Sequence, residues 1–321
     1  IIKAPVKVIW TREDDMTGRS GVARWGVLGA VLLAACGPRE RRLDRVEIES
    51  AAMGDSREIA VYLPPDWRPE EALPLVVFLH GGGDSPDSFD RFRVGQALDA
   101  ALEAEGMPRV VVAVPRGDLG MWTNWADGSR RYEDWVIREV IPEMQRRYGT
   151  RPCPEGCHLA GVSMGGAGAL RMAHHHRGLF ASVSSLSGIV LSAEEVVAFS
   201  KRASVRLWMP VKRIFGRMDD PEDLRREDLF RQWRTPADVP FRLYLGWGTE
   251  DSEDVVRTSR AFADHLERNG IPFRREVYAG RHGWEDWRAV IPGMIRLAVA
   301  GGEGPAAGSA ESEVNPDGSD R

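Results

Sequence analysis

Apolar and polar residues alternate along the chain with two different periods. Val46 and Ile48, then Ile59, Val61 and Leu63, take turns with polar neighbours, which predicts two half-exposed strands forming an antiparallel edge. Leu75 to Leu79 is instead an unbroken apolar run ending in His80-Gly81-Gly82-Gly83, and Val110 to Val114 is a second such run. Short runs rich in β-branched residues suit strands buried on both faces. Similar runs recur near 157–161, 182–187, 241–246 and 275–279. Between them the period becomes helical. Val94, Leu98, Ala101 and Leu102 form one stripe that stops at Gly106. Tyr132, Val136, Val140, Met144 and Tyr148 form another, widened by Trp135 and Ile141 and ended by Gly149. A third, Val255, Ser259, Phe262, Ala263 and Leu266, closes at Asn269-Gly270.

Strands alternating with helices of this length imply βαβ units, hence an α/β fold with a mostly parallel central sheet and helices on both faces. Right-handed crossovers then bring the strands' C-terminal ends to one edge, where open α/β sheets bind their ligands. One domain over 46–299 is expected. Residues 189–238 interrupt the alternation with charged helical stretches, the aromatics Phe199, Trp208, Phe215 and Trp233, and an Asp220-Pro221 helix start. So long a connection reads either as a helical insertion or lid near a site, or as a surface excursion of packing value only. Residues 300–321, rich in Gly, Ala, Ser, Glu and Asp, are expected to be disordered.

Composition adds little to this picture until the N-terminal segment. The chain of 321 residues is 43% hydrophobic and 28% charged, with a formal charge of −5 and both signs mixed. No basic face suggests a nucleic-acid partner. Residues 1–15 show no sustained period and read as upstream sequence taken in from an earlier start. From Met16, Arg19 and Arg24 precede an apolar stretch, Trp25 to Ala35, too short for a permanent span and suited to a signal peptide over 16–35. It ends in Leu33-Ala34-Ala35-Cys36-Gly37, which resembles a bacterial lipobox. Cys36 is then the lipidated first mature residue and 36–45 a linker. The expected location is exported and membrane-anchored, facing the periplasm or cell surface; an ordinary signal peptide with a chance Cys is the alternative. An exported compartment permits disulfides, and Cys153 and Cys157, separated by Pro-Glu-Gly, read as a small-loop pair. A zinc site is disfavoured, because only His158 neighbours them, and no metal or cofactor is expected.

The candidate chemistry follows the predicted strands. Gly161-Val162-Ser163-Met164-Gly165 matches G-x-S-x-G, a strained strand-to-helix turn that exposes a serine nucleophile. A serine hydroxyl needs a base to take its proton. In the chain order serine, acid, histidine, only His265 and His282 lie far enough downstream. His265 falls on the polar side of a predicted helix and reads as solvated. His282, between Gly280 and Gly283 after a strand, is the candidate base. The acid belongs on the loop Gly246-Trp247-Gly248-Thr249-Glu250-Asp251. Glu250 and Asp251 are both chemically able; Asp254 reads as a first-turn helix acid, and Asp251 could equally be a helix cap. The Met164 amide and an amide from His80-Gly81-Gly82-Gly83 are candidates for an oxyanion hole. His174-His175-His176 read as solvated or partly packed, since consecutive helical residues point about 100° apart and cannot converge on one ion.

These residues together resemble the esterase family that includes esterase D-like enzymes, feruloyl and acetylxylan esterases, enterochelin esterases and mycolyltransferases. The similarity spans roughly 55–298. Its carriers are the strand Leu75–His80 with Gly81-Gly82, the Gly161–Gly166 elbow, Gly248-Thr249-Glu250-Asp251, and Gly280-Arg281-His282-Gly283-Trp284 with Trp287. The resemblance implies an α/β-hydrolase fold, Asp251 as the acid rather than Glu250, and the Gly82 and Met164 amides as oxyanion donors. It also implies that Trp122, Asn124 and Trp125 line an acyl or alcohol pocket, with Trp284 beside it. The implied activity is carboxylic ester hydrolysis through an acyl-enzyme, on a small-molecule or polymer-linked ester. An acyltransferase using a hydroxyl acceptor and an inactive surface-tethered binding module are the rival expectations. A peptidase is disfavoured for want of a propeller repeat or an amine-recognition element. The insertion at 189–238 does not align with the family, and the lipobox is no family trait.

Overall fold

The computed structural model describes residues 42–104, 106–216, 224–225 and 227–300. The segments 1–15 and 16–35, Cys36, Asp220-Pro221 and the tail beyond Ala300 lie outside the described residues. Eight strands form one sheet: β1 (Arg42–Ser50), β2 (Asp55–Leu63), β3 (Leu75–Leu79), β4 (Val111–Pro115), β5 (Cys157–Val162), β6 (Ser182–Leu186), β7 (Arg242–Glu250) and β8 (Arg274–Arg281). Their order is β1-β2-β4-β3-β5-β6-β7-β8. β1 pairs antiparallel with β2 and β2 with β4; every other pair is parallel.

The apolar runs form the middle of the sheet for the reason their composition suggests. Leu75, Val77 and Leu79 enter one core, and Val76 and Phe78 enter the other. On the first face lie α3 (Tyr132–Asp134), a π-helical stretch Trp135–Val140, α4 (Ile141–Tyr148), α5 (Met164–His175) and α10 (Glu253–Arg268). On the second lie α1 (Asp87–Arg91), α2 (Val94–Ala104) and α11 (Trp284–Ala300). Gly149, at φ 59°, caps α4 in the left-handed region.

Two expectations are corrected here. β2 is not half-exposed: Ile59 to Leu63 are fully buried, because β2 sits between β1 and β4 instead of at the edge. The stretch 36–45 is not all linker, since β1 begins at Arg42, where it pairs with Leu63. The described residues of the 189–238 insertion include four helices. These are α6 (Ala193–Ser200), α7 (Ala203–Trp208), α8 (Val211–Phe215) and α9 (Leu229–Gln232). Cys153 and Cys157 form a disulfide between α4 and β5, their sulfurs 2.00 Å apart. Among the described residues no helix is long and apolar enough to cross a membrane.

Candidate active site

The elbow is a joint between β5 and α5. Ser163 stands alone between them at φ 54° and ψ −119°, a backbone region that side chains disfavour. Its amide donates to the Leu186 carbonyl at 2.9 Å, which anchors the turn to β6. The glycines are required by crowding. A Cβ on Gly165 would collide with the Leu79 carbonyl, and one on Gly161 with the Gly165 backbone.

His282 occupies the turn between β8 and α11. Its Nε2 is 2.8 Å from Ser163 Oγ, and its Nδ1 is 2.6 Å from Asp251 Oδ1. The edge of Trp287 supports the ring, with centroids 4.9 Å apart. Asp251 follows β7 and is buried. Burial pushes its carboxyl up, but the hydrogen bond with His282, the nearby Ser187 hydroxyl and the Ser252 amide outweigh it and hold the group below the usual carboxylate range. Its second oxygen, Oδ2, is buried without a hydrogen-bond partner. Ser252, not Asp251, caps α10. Glu250 is exposed and pairs with Arg281 at 3.2 Å, and Asp254 pairs with Arg202 at 2.6 Å. The structure therefore brings Ser163, His282 and Asp251 into one hydrogen-bonded series and leaves the other two acids outside it. Such a series can pass the serine proton to an imidazole whose developing charge faces a carboxylate.

The two candidate oxyanion donors lie against each other. A Cβ placed on Gly82 would sit 3.8 Å from Met164 Sδ, and one on Gly81 would sit 3.4 Å from Ser163 Cβ. The Met164 amide opens α5, where the helix dipole favours negative charge. His80 organises this loop, a role that sequence reasoning missed. Its Nε2 accepts from the Gly117 amide at 3.0 Å, so Nδ1 carries the proton and donates to the Gly81 carbonyl at 2.8 Å. Fixing that carbonyl also fixes the opposed Gly82 N–H across the same planar peptide. Asp84 adds two ties, its amide to Gly81 O at 3.3 Å and its carboxylate to Trp284 Nε1 at 3.1 Å.

The pocket expectations fare differently. Trp122 is fully buried and donates to His80 O at 3.1 Å, so it supports the oxyanion loop from beneath. Asn124 accepts from the Glu133 and Asp134 amides at 3.1 Å and so caps α3. Trp284 is buried and stacks on Phe92 with centroids 5.4 Å apart. Trp122 and Trp284 are corrected from pocket lining to framework, because they are buried with their indole N–H groups engaged, whereas Asn124 is half-buried and only its Oδ1 is engaged. Trp125 is partly exposed, with Arg213 over its ring. Leu119, exposed above Gly82, went unremarked in sequence because a single apolar loop residue carries no pattern.

Of the remaining histidines, one departs from expectation. His265 is buried, not solvated, and its Nε2 lies 2.8 Å from the Trp233 carbonyl of the insertion. His175 and His176 are partly packed, as expected, and each reaches its own oxygen of Glu133, at 2.9 and 2.8 Å. They can do so because α5 ends at His175 and His176 leaves the helical path. Among the described residues no group of three His, Cys, Asp or Glu side chains is arranged to hold a metal ion.

Comparison with known proteins fits this geometry. The family model described as Putative esterase matches residues 50–298. An esterase of Mycobacterium tuberculosis strain H37Rv is 27% identical over 323 residues, an alignment covering 88% of this chain and 66% of that protein, just under two thirds of its length. A ferulic acid esterase structure superposes with a TM-score of 0.67 at 16% identity, covering 81% of this chain and 99% of its own. A fluorophosphonate-binding serine hydrolase of Staphylococcus aureus gives 0.65 at 20% identity, covering 81% and 98%. At these identities the structural likenesses establish the α/β fold.

Proposed function

The chain belongs to the Putative esterase family, and from that premise we propose that it is a serine esterase that cleaves carboxylic esters through an acyl-enzyme intermediate. The observation that carries this reading is the position of His282, 2.8 Å from Ser163 Oγ on one side and 2.6 Å from Asp251 on the other. Ser163 Oγ attacks the ester carbonyl as His282 Nε2 takes its proton. The carbonyl oxygen, now negative, is held by the Gly82 and Met164 amides. His282 returns the proton to the departing alcohol, leaving the acyl group on Ser163. Water then attacks the acyl carbonyl as it gives a proton to His282, and His282 returns that proton to Ser163 Oγ as the acid leaves. Asp251 stays ionised throughout, held below the usual carboxylate range, and stabilises the charged imidazole.

The test is hydrolysis of nitrophenyl esters from acetate to palmitate, with methyl ferulate, by the protein and its Ser163→Ala variant. Loss of roughly four orders of magnitude in kcat/KM is expected in the variant. Near-normal turnover by Ser163→Ala would overturn the reading.

A further inference from the structure

Ser187 follows directly on β6, and its backbone is unusual. It lies at φ 54°, in the left-handed region, where glycine is favoured and a side chain is strained. Its amide donates to the Gly246 carbonyl of β7 at 2.7 Å, so the conformation is fixed by the sheet. A serine where glycine fits better calls for a role for the hydroxyl. That hydroxyl is fully buried where three elements meet: Trp287 of α11, Tyr278 of β8 and Asp251 on the loop after β7.

Counting protons limits what the hydroxyl can do. Trp287 Nε1 donates to Ser187 Oγ at 3.0 Å, and an indole can only donate. Tyr278 Oη lies 3.3 Å from the same oxygen. Burial, with the charges of Asp251 and Asp286 adding to it, pushes the Tyr278 phenol up to about 12, so it keeps its proton at neutral pH. When Tyr278 donates as well, both lone pairs of Ser187 Oγ are filled. Its single proton then has the Asp251 carboxylate as its acceptor, and Asp251 Oδ2 is buried with no other partner. The carboxylate charge favours this orientation. That hydrogen bond is not made in this structure, where Asp251 Oδ2 stands unpartnered.

We infer that Ser187 is a positioning residue for the acid: Trp287 and Tyr278 direct its proton onto Asp251 Oδ2, which holds the carboxylate for His282. The inference rests on the esterase reading above and names a residue outside the serine–histidine–acid series. The groups facing Asp251 are His282, the Ser252 amide, Ser187 and the Tyr278 phenol, which feels its charge. Removing the Ser187 proton leaves the carboxylate more basic, so it holds the imidazolium more tightly.

The experiment compares Ser187→Ala with Ser187→Gly. Both lose the hydroxyl, but glycine relieves the backbone strain and so protects the fold. In both, kcat is expected to fall about tenfold with KM within about twofold. The acid limb of the kcat/KM profile should move up by roughly half a pH unit. The pH dependence of Ser163 labelling by a fluorophosphonate is followed in parallel, because it needs no ester. Parental kcat and an unmoved acid limb in both variants would overturn the inference. So would a loss confined to Ser187→Ala, which would assign the effect to the backbone. If the parent turns over no ester yet labels at Ser163, the esterase reading fails, and the labelling profile alone decides the role of Ser187. A parent that neither hydrolyses nor labels overturns both.

Discussion

At Ser163 the requirements of folding and of chemistry diverge. The residue holds a conformation that suits glycine, at φ 54° and ψ −119°, because only there does its hydroxyl stand clear of the sheet to meet His282. Strain of this kind costs about 1–3 kcal/mol. Ser163→Gly should therefore raise stability by about 1 kcal/mol while abolishing ester turnover. Urea denaturation read beside an activity assay checks this; a less stable glycine variant would show that the turn is not strained. Ser163 and His282 were legible in sequence because each sits in a short glycine-framed motif after a strand. Choosing Asp251 over Glu250 required the family resemblance. The two adjacent acids differ only in which side of the chain faces the imidazole, and no local pattern records that. His80 and Ser187 escaped for the same reason, since their partners at Gly117, Trp287 and Tyr278 are distant in sequence.

Among the elements, the helical insertion is the least legible and the most dependent on ion pairs. It is tied to α10 by Arg202–Asp254 and Arg257–Glu195, each at 2.6 Å, and to the end of α5 by His175. His175 bridges Glu133 of α3 at 2.9 Å and Glu227 of the insertion at 2.8 Å. Burial alone would lower its pKa, but the two carboxylates outweigh that and push it up to about 9. A raised pKa means the clamp is fully formed below the ordinary histidine value and is lost as pH rises through about 9. His175→Gln should speed proteolytic cleavage within 193–233 by about fivefold at pH 7, on the order of 1 kcal/mol. The difference from the parent should fade above pH 9. Equal cleavage at pH 7 would show that the clamp holds nothing. The regular strands and helices were readable because their periods are local. The insertion's anchors join residues far apart in sequence and leave no period behind.

For the whole molecule, the two cores on opposite faces of the sheet bury groups whose titration bounds the working range. Burial drives the pKa of His158, on β5, down to about 4, with Arg242 and Arg151 adding to the effect. His80 shifts in the same direction, again chiefly by burial. Both fold in the neutral form, so their contribution is complete above the ordinary value of 6.5 and weakens as pH falls below it, that of His158 being lost toward pH 4. For His158 the loss is on the order of 3 kcal/mol. With His175 titrating in the opposite sense, stability should peak near pH 6.5, falling toward pH 4 on the acid side and through about 9 on the alkaline side. Thermal melts across pH test this, and His158→Asn should flatten the acid side. An acid limb unchanged in that variant would remove His158 from the account.

The order of the catalytic elements along the chain also bears on biosynthesis. Ser163 precedes its base by 119 positions, and β8 and the turn carrying His282 are nearly the last parts of the domain to be made. A nascent chain can thus present its elbow and oxyanion loop well before a proton acceptor reaches them. The site is complete only once this last stretch of the domain has been made, and a product truncated ahead of β8 carries a serine with no means of activation.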